Sequence, residues 1–292
     1  MGLEVKVLDL GDIELESSFL VLGHHCGIPV QVPVFGFLIL GGETPIVVDT
    51  GFSHPDIMGN VGMKGFYKGD QGLDKQLEKH GVKKSDVGYI LHTHLHIDHA
   101  GKDDEFPNET VVVINRRELE YSVSGLMGEQ YPPEYIKHLV DRLHIQGALR
   151  LLDLEIAGPE EIIPGVRCEV AGGHTEGSMN VLVETDEGTA CICGDVIYDV
   201  VNQINDPFHQ VMYMEPQVTG NHGNTKREEK AAIRRALNSG RFVLPVHDRP
   251  AVVERGQVTG RLFDSVPGKV LPNDAYPGPL TEAFEAAQLA GV

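Results

Sequence analysis

Positive charge is scarce in this chain. Lys and Arg total 24 against 43 Asp and Glu, a formal charge of −19 over 292 residues. Such an acidic balance repels polyanions and argues against a nucleic-acid or anionic-membrane partner. Cysteine is scarce as well. Cys26, Cys168, Cys191 and Cys193 are too few in a chain this long to form a disulfide framework, so a reduced, cytoplasmic setting is expected. No apolar stretch approaches the length that spans a bilayer. The start, Met1-Gly2-Leu3-Glu4-Val5-Lys6, has no signal-peptide layout, and Lys6 stands where a myristoylation motif needs Ser or Thr. Nothing reads as a linker, so a single domain over residues 1–292 is expected.

Histidine, by contrast, is concentrated. His92, His94, His96 and His99 fall with Asp98 in Leu91-His92-Thr93-His94-Leu95-His96-Ile97-Asp98-His99-Ala100-Gly101. The apolar run Val87-Gly88-Tyr89-Ile90-Leu91 just before it reads as a short buried strand, which puts the polar cluster at a strand end. In extended backbone His94 and His96 point to one side and can grip one cation. Asp98 and His99 are adjacent and poorly placed to join them, but they can begin a second site alongside. His-x-His-x-Asp-His therefore suggests two metals close together, an arrangement that clamps and activates a water. The plain alternative is a surface loop rich in histidine.

The rest of the chain supplies further strand ends. Strands are expected over residues 3–10 and 35–40, and Pro45-Ile46-Val47-Val48 leads into Asp49-Thr50-Gly51. Residues 71–80 read as a helix ending at His80-Gly81. Thr110–Ile114 is a strand and Arg116–Ser122 begins a helix; the segment to about 149, with Pro132-Pro133, reads as a partly helical insertion at 116–149. The second half repeats the logic. Val166–Val170 runs into Gly172-Gly173-His174, and strands at 180–185 and 189–193 flank the turn Asp186-Glu187-Gly188 and deliver Gly194-Asp195. Thr225-Lys226-Arg227-Glu228 is a capping box opening a helix to Ser239-Gly240, and the strand 241–246 ends at His247-Asp248. The tail from 264 is turn-rich and closes with a helix near 281–290. Strands followed by helices, twice over, fit an α/β fold, a four-layer αβ/βα sandwich with histidines and carboxylates on one edge.

In their order and approximate spacing these residues resemble the metallo-β-lactamase superfamily, from Asp49-Thr50-Gly51 to His247-Asp248. Within it the chain is most similar to the N-acyl homoserine lactonase branch, on His-Thr-His-Leu-His-Ile-Asp-His-Ala-Gly at 92–101, Asn-Arg-Arg-Glu-Leu-Glu-Tyr at 115–121 and Gly-Asp-x-x-Tyr at 194–198. The resemblance implies that His94, His96 and His174 hold one metal, that Asp98, His99 and His247 hold the other, and that Asp195 bridges them. It also implies Asp98 as a proton carrier to the leaving oxygen, Tyr198 as a donor to the developing oxyanion, and Asp49 as a carboxylate that orients a ligand or the water from behind. All these ligands are nitrogen or oxygen, which suits two divalent ions, zinc first, with manganese, iron or cobalt also compatible.

The expected activity is that of a dinuclear metal-dependent hydrolase in which a metal-bridging hydroxide opens a lactone, an N-acyl homoserine lactone or a related cyclic ester. The same site also suits a cyclic-amide hydrolase or a thioesterase, and the fold hosts iron-dependent oxidoreductases, although no residues remain here for a flavodoxin-like module. The partner expected is a small-molecule substrate, with no nucleic acid and no membrane; a homodimer is compatible. The remaining candidates have plainer readings. His92 reads as a hydrogen-bonded core histidine, His80 as a helix C-terminal contact, and Cys191 and Cys193 as small buried residues on one strand face. His24-His25-Cys26 reads as a loop lining the pocket. The apolar stretch Phe208–Met214 reads equally as core or, with Phe66, Tyr67, Leu126, Met127 and Tyr131, as the substrate wall.

Overall fold

The computed structural model describes residues 2–204, 216–220 and 224–290, and shows two mixed eight-stranded sheets. The first opens with a hairpin of β1 (Glu4–Glu16) and β2 (Pro29–Leu40). Both strands outrun the lengths expected from the sequence, for identifiable reasons. A register shift between Asp9 and Gly11 re-phases the alternation in β1, so Leu8 before it, Leu10 within it, and Ile13 and Leu15 after it all reach the core. In β2, Val30, Val32 and Val34 alternate inward between Pro29, Gln31 and Pro33, a pattern that the prolines disguise.

Beyond the hairpin the sheet turns parallel. β3 (Ile46–Val48), β5 (Tyr89–Leu91), β6 (Val111–Asn115) and β7 (Leu149–Leu152) lie side by side, while β4 (Lys64–Phe66) pairs with β1. The second sheet runs from β8 (Glu160–Ile163) through β9 (Val166–Val170), β10 (Met179–Thr185), β11 (Gly188–Gly194), β12 (Phe242–Pro245), β13 (Ala251–Glu254) and β14 (Gln257–Arg261) to β16 (Leu271–Pro272). The tail joins both sheets, since β15 (Ser265–Val266) pairs with β1 and β16 pairs with β14.

Side chains of β11 show the layering. Ala190 and Ile192 enter the core shared by the two sheets, whereas Cys191 and Cys193 face the other way into a cluster with Ala232, Ile233, Ala236 and Leu237. Those four belong to a helix, Lys226–Ser239, whose Thr225 and Glu228 make both bonds of the expected capping box. The expected helix at 71–80 is α1 (Leu73–Lys79), with His80 at its C-terminus, and Arg116–Ser122 is α2. Pro132-Pro133 does not break structure. It opens α3 (Pro133–Leu143), where a first-turn proline loses no hydrogen bond. Among the described residues no helix is long and apolar enough to cross a membrane, and the four cysteines are unpaired.

One buried cation ties α3 to the loops around the first sheet. Arg142, 1% exposed, donates from Nη1 to the carbonyls of Thr110 (2.8 Å) and Ala148 (3.4 Å), and from Nη2 to those of Asp103 (3.2 Å), Phe106 (3.0 Å) and Pro107 (3.3 Å). Replacing it by a side chain without donors strands several buried carbonyls at once. Arg142→Met should lower the unfolding free energy by about 3 kcal/mol or more, read from urea denaturation at constant metal load; a loss below about 1 kcal/mol would show that water takes over those carbonyls.

Candidate metal centre

Four segments converge at one edge of the sandwich. β5 lies between β3 and β6 and releases the loop that carries His92 to His99. β9 leads to His174, β11 to Asp195 and β12 to His247. Gly194 sets how closely two of them approach. It sits at φ +55°, and a Cβ there would lie 2.5 Å from Thr93 Oγ1, so only glycine lets Asp195 settle against the His94 loop.

The sequence candidates form two sets that meet at Asp195. In the first, His174 Nε2 is 3.0 Å from His96 Nδ1, and Asp195 Oδ2 lies 3.6 Å from His174 Nε2 and 3.8 Å from His94 Nε2. In the second, Asp195 Oδ1 lies 3.2 Å from His99 Nε2 and 3.3 Å from His247 Nε2, which is itself 3.3 Å from Asp98 Oδ2. The two oxygens of Asp195 thus face different sets. Two donors about 2.0–2.1 Å from one tetrahedral ion sit roughly 3.3 Å apart, which is the spacing seen here. His94 Nε2, His99 Nε2 and Asp195 Oδ1 are buried with no hydrogen-bond partner, so the donor set fits divalent cations. The trios His94–His96–His174, His94–His99–Asp195 and Asp98–His99–His247 each hold their donor atoms close enough for one ion.

Contacts behind the rings fix which nitrogen faces inward. His247 Nδ1 donates to the Pro33 carbonyl at 2.9 Å, and His99 Nδ1 lies 3.0 Å from Asp49 Oδ2, leaving each Nε2 for the centre. Asp49 also accepts from the Thr93 amide (2.9 Å) and hydroxyl (2.7 Å) and approaches His92. His92 is a buried core histidine as expected, held on its other side by Asp103 at 2.8 Å. Burial and neighbouring imidazoles push His94 and His96 well below the usual histidine range, and burial takes His174 down to about 4. These rings are neutral, which is the form that ligates. At His247 burial opposes charge, yet Asp195 and Asp98 carry it up to about 10. The second set is thus anionic enough to hold a proton where a metal would serve.

Tyr198 closes the rear of the site. Its hydroxyl donates to Asp195 Oδ2 at 2.7 Å, and its ring stacks on His247 with centroids 5.2 Å apart. The cleft above the cluster has an open volume of about 20 Å³ and is lined by Ile13, Leu15, Phe19, Met58 and Met63, besides Gln130 and site residues. The expected wall is corrected here: Phe66, Tyr67, Leu126 and Met127 do not line this cleft, whose apolar side chains come from β1, Phe19 and residues 58–63. Tyr131 is buried with its ring 4.9 Å from His96. His24 and His25 do not line the cleft either; they contact Gln217 and Phe284. Phe208–Met214 lies outside the described residues. Sequence reasoning gave no role to Glu118, a buried carboxylate beside the ligand loops, because it stands among the charged residues Arg116, Arg117 and Glu120 and nothing local marks it as inward.

Comparison with known proteins agrees with this geometry. The family model of the metallo-beta-lactamase superfamily matches residues 30–247. An N-acyl homoserine lactonase of Bacillus cereus is 31% identical over 184 residues, covering 59% of this chain and 67% of that protein. The fold superposes on an N-acyl homoserine lactone hydrolase solved with N-hexanoyl-L-homoserine at its catalytic metal centre (TM-score 0.62, 23% identity, 80% of this chain and 88% of that one). It also superposes on a dizinc quorum-quenching lactonase in complex with its product (TM-score 0.61, 17% identity, 93% and 94%).

Asp49 makes a backbone demand as well as a charge demand, since its φ is +57°. Asn tolerates that region better than Ala does. Asp49→Ala should therefore destabilise the fold more than Asp49→Asn, by about 1 kcal/mol, with both melting below the parent. Equal melting temperatures for the two variants would show that the carboxylate alone matters.

Proposed function

This chain belongs to the metallo-beta-lactamase superfamily, and we propose that it is a metal-dependent hydrolase that opens uncharged cyclic esters, N-acyl homoserine lactones among them. The observation that carries the reading is Asp195, whose two oxygens face two separate sets of imidazole donors, the second joined by Asp98. In this reading His94, His96 and His174 hold one ion, Asp98, His99 and His247 hold the other, and Asp195 bridges them. Zinc is the metal we assign, from the nitrogen and oxygen donor set and the dizinc relative in fold. Two bound cations supply an acidified water and a Lewis acid for the substrate carbonyl.

The chain's own groups do the rest. Tyr198 holds an O–H beside Asp195, within the cleft, where an oxyanion forms when the ester carbonyl is attacked. Asp98 lines the same cleft and is placed to carry a proton to the alkoxide as the ring opens. Ile13, Leu15, Phe19, Met58 and Met63 exclude water and suit an apolar substituent on the ring. A phosphodiester is disfavoured, because among the described residues no Arg or Lys lines the cleft to receive its charge. A cyclic amide requires its nitrogen to be protonated during cleavage, and no further acid lines the cleft among the described residues.

Matched lactone, lactam, thioester and phosphodiester substrates should be compared side by side, with metal analysis of the same preparation. The lactone should give the highest kcat/KM. A thioester or cyclic amide ahead by tenfold, about 1.4 kcal/mol in barrier, would remove the lactonase reading and leave the hydrolase. Tyr198→Phe should lower kcat on the order of a hundredfold with metal content unchanged. If kcat and KM stay as they were, the tyrosine only packs.

A further inference from the structure

The motif Asn115-Arg116-Arg117-Glu118-Leu119-Glu120-Tyr121 has no part in the chemistry above, yet its inward face converges on the metal centre. Asn115, Glu118 and Tyr121 follow one another at three-residue spacing and so share one side of α2 and its cap. Glu118 Oε1 accepts the Leu95 amide at 2.9 Å, between His94 and His96, and the Tyr131 hydroxyl at 3.0 Å. Its Oε2 accepts the Thr175 hydroxyl at 2.5 Å, next to His174. Asn115 Nδ2 donates to the Gly177 carbonyl at 3.1 Å in that same loop, and a Cβ on Gly177 would overlap the Glu118 backbone. Tyr121 packs edge-on against Tyr131, whose ring in turn meets His96.

Each of these contacts reaches the His94–His96 loop or the His174 loop. None of them reaches Asp98, His99 or His247; Asp49 supports His99 and the Pro33 carbonyl supports His247. We propose that Glu118 is a positioning residue for one of the two metal sites: it clamps the loops bearing His94, His96 and His174, so that its loss empties that site and spares the other. This rests on the two-metal reading above. Tying two loops through one buried carboxylate fixes the angle between the imidazoles they carry, and such supports behind ligands typically change metal affinity ten- to a hundredfold.

The test counts metal. Zinc-reconstituted protein is assayed by elemental analysis and by competition with a chelator, for the parent, Glu118→Ala, Glu118→Gln, Thr175→Val, and Glu118→Ala combined with His247→Ala. The parent should hold about two zinc ions; a parent near one overturns the two-metal reading and this proposal with it. Given two in the parent, Glu118→Ala should keep about one, with the other weakened about ten- to a hundredfold, and the combined variant should keep almost none. Glu118→Gln should restore both, because its carbonyl still accepts from Leu95 and its amide can donate to Thr175. Should Glu118→Ala fail to fold, Thr175→Val decides, since it removes a single clamp bond and should selectively weaken one ion. Two ions of parental affinity in the folded Glu118→Ala or in Thr175→Val, or equal weakening of both, would overturn the proposal.

Discussion

The structure depends on the electrostatics of one crowded volume. Five neutral or proton-holding imidazoles and two carboxylates, all buried, face one another at 3.0–3.8 Å. Carboxylates buried without cations cost far more than hydrogen bonding returns, so such a cluster persists only when positive charge is bound within it. The fold answers by making everything around the cluster rigid. Ligands leave short buried strands, and Asp49, Thr93 and the Pro33 carbonyl lock ring orientations from behind. The low dielectric that makes the empty arrangement costly also strengthens every interaction made by a charge placed inside it.

Asp195 carries this constraint between the halves of the molecule. Four of the candidate ligands come from the first sheet, on the loop after β5, and three from the second, after β9, β11 and β12. The sheets share an apolar core that sets their separation. The glycine at position 194 then allows the last approach that apolar packing alone leaves open. Tyr198 adds a hydroxyl on the same carboxylate, so the bridge between the halves and the expected oxyanion donor are held by one hydrogen bond.

The metal cluster was legible because its information is local. His94, His96, Asp98 and His99 lie within a few residues, and His174, Asp195 and His247 each follow an apolar run that reads as a strand. The capping box at Thr225 and α2 at Arg116–Ser122 are local signals too, and both appear where the pattern places them. What escaped notice depends on tertiary burial. Glu118 and Arg142 belong to residue types seldom buried, yet both are buried because segments distant in sequence pack over them. The cleft wall escaped for the same reason. Met58, Met63 and Phe19 come from segments whose neighbour in space is β1 or Gln130, which no periodicity announces. The bulge at Asp9–Gly11 hid the length of β1 by shifting its alternation mid-strand.

The pairing of Val5 with Val266 bears on how the chain is made. Val5 acquires that neighbour only when the chain has been made as far as Val266. At synthesis rates of about 5–20 residues per second, the edge of β1 around Val5 and Lys6 waits for many seconds after β4 has covered Asp12 to Glu14. An unpaired edge is a template for association with other chains. β1 carries Glu4, Lys6, Asp9, Asp12, Glu14 and Glu16 along its length, and side chains charged in this way disfavour intermolecular pairing during the wait. The acidity that deters polyanions in the finished protein also protects its nascent edge.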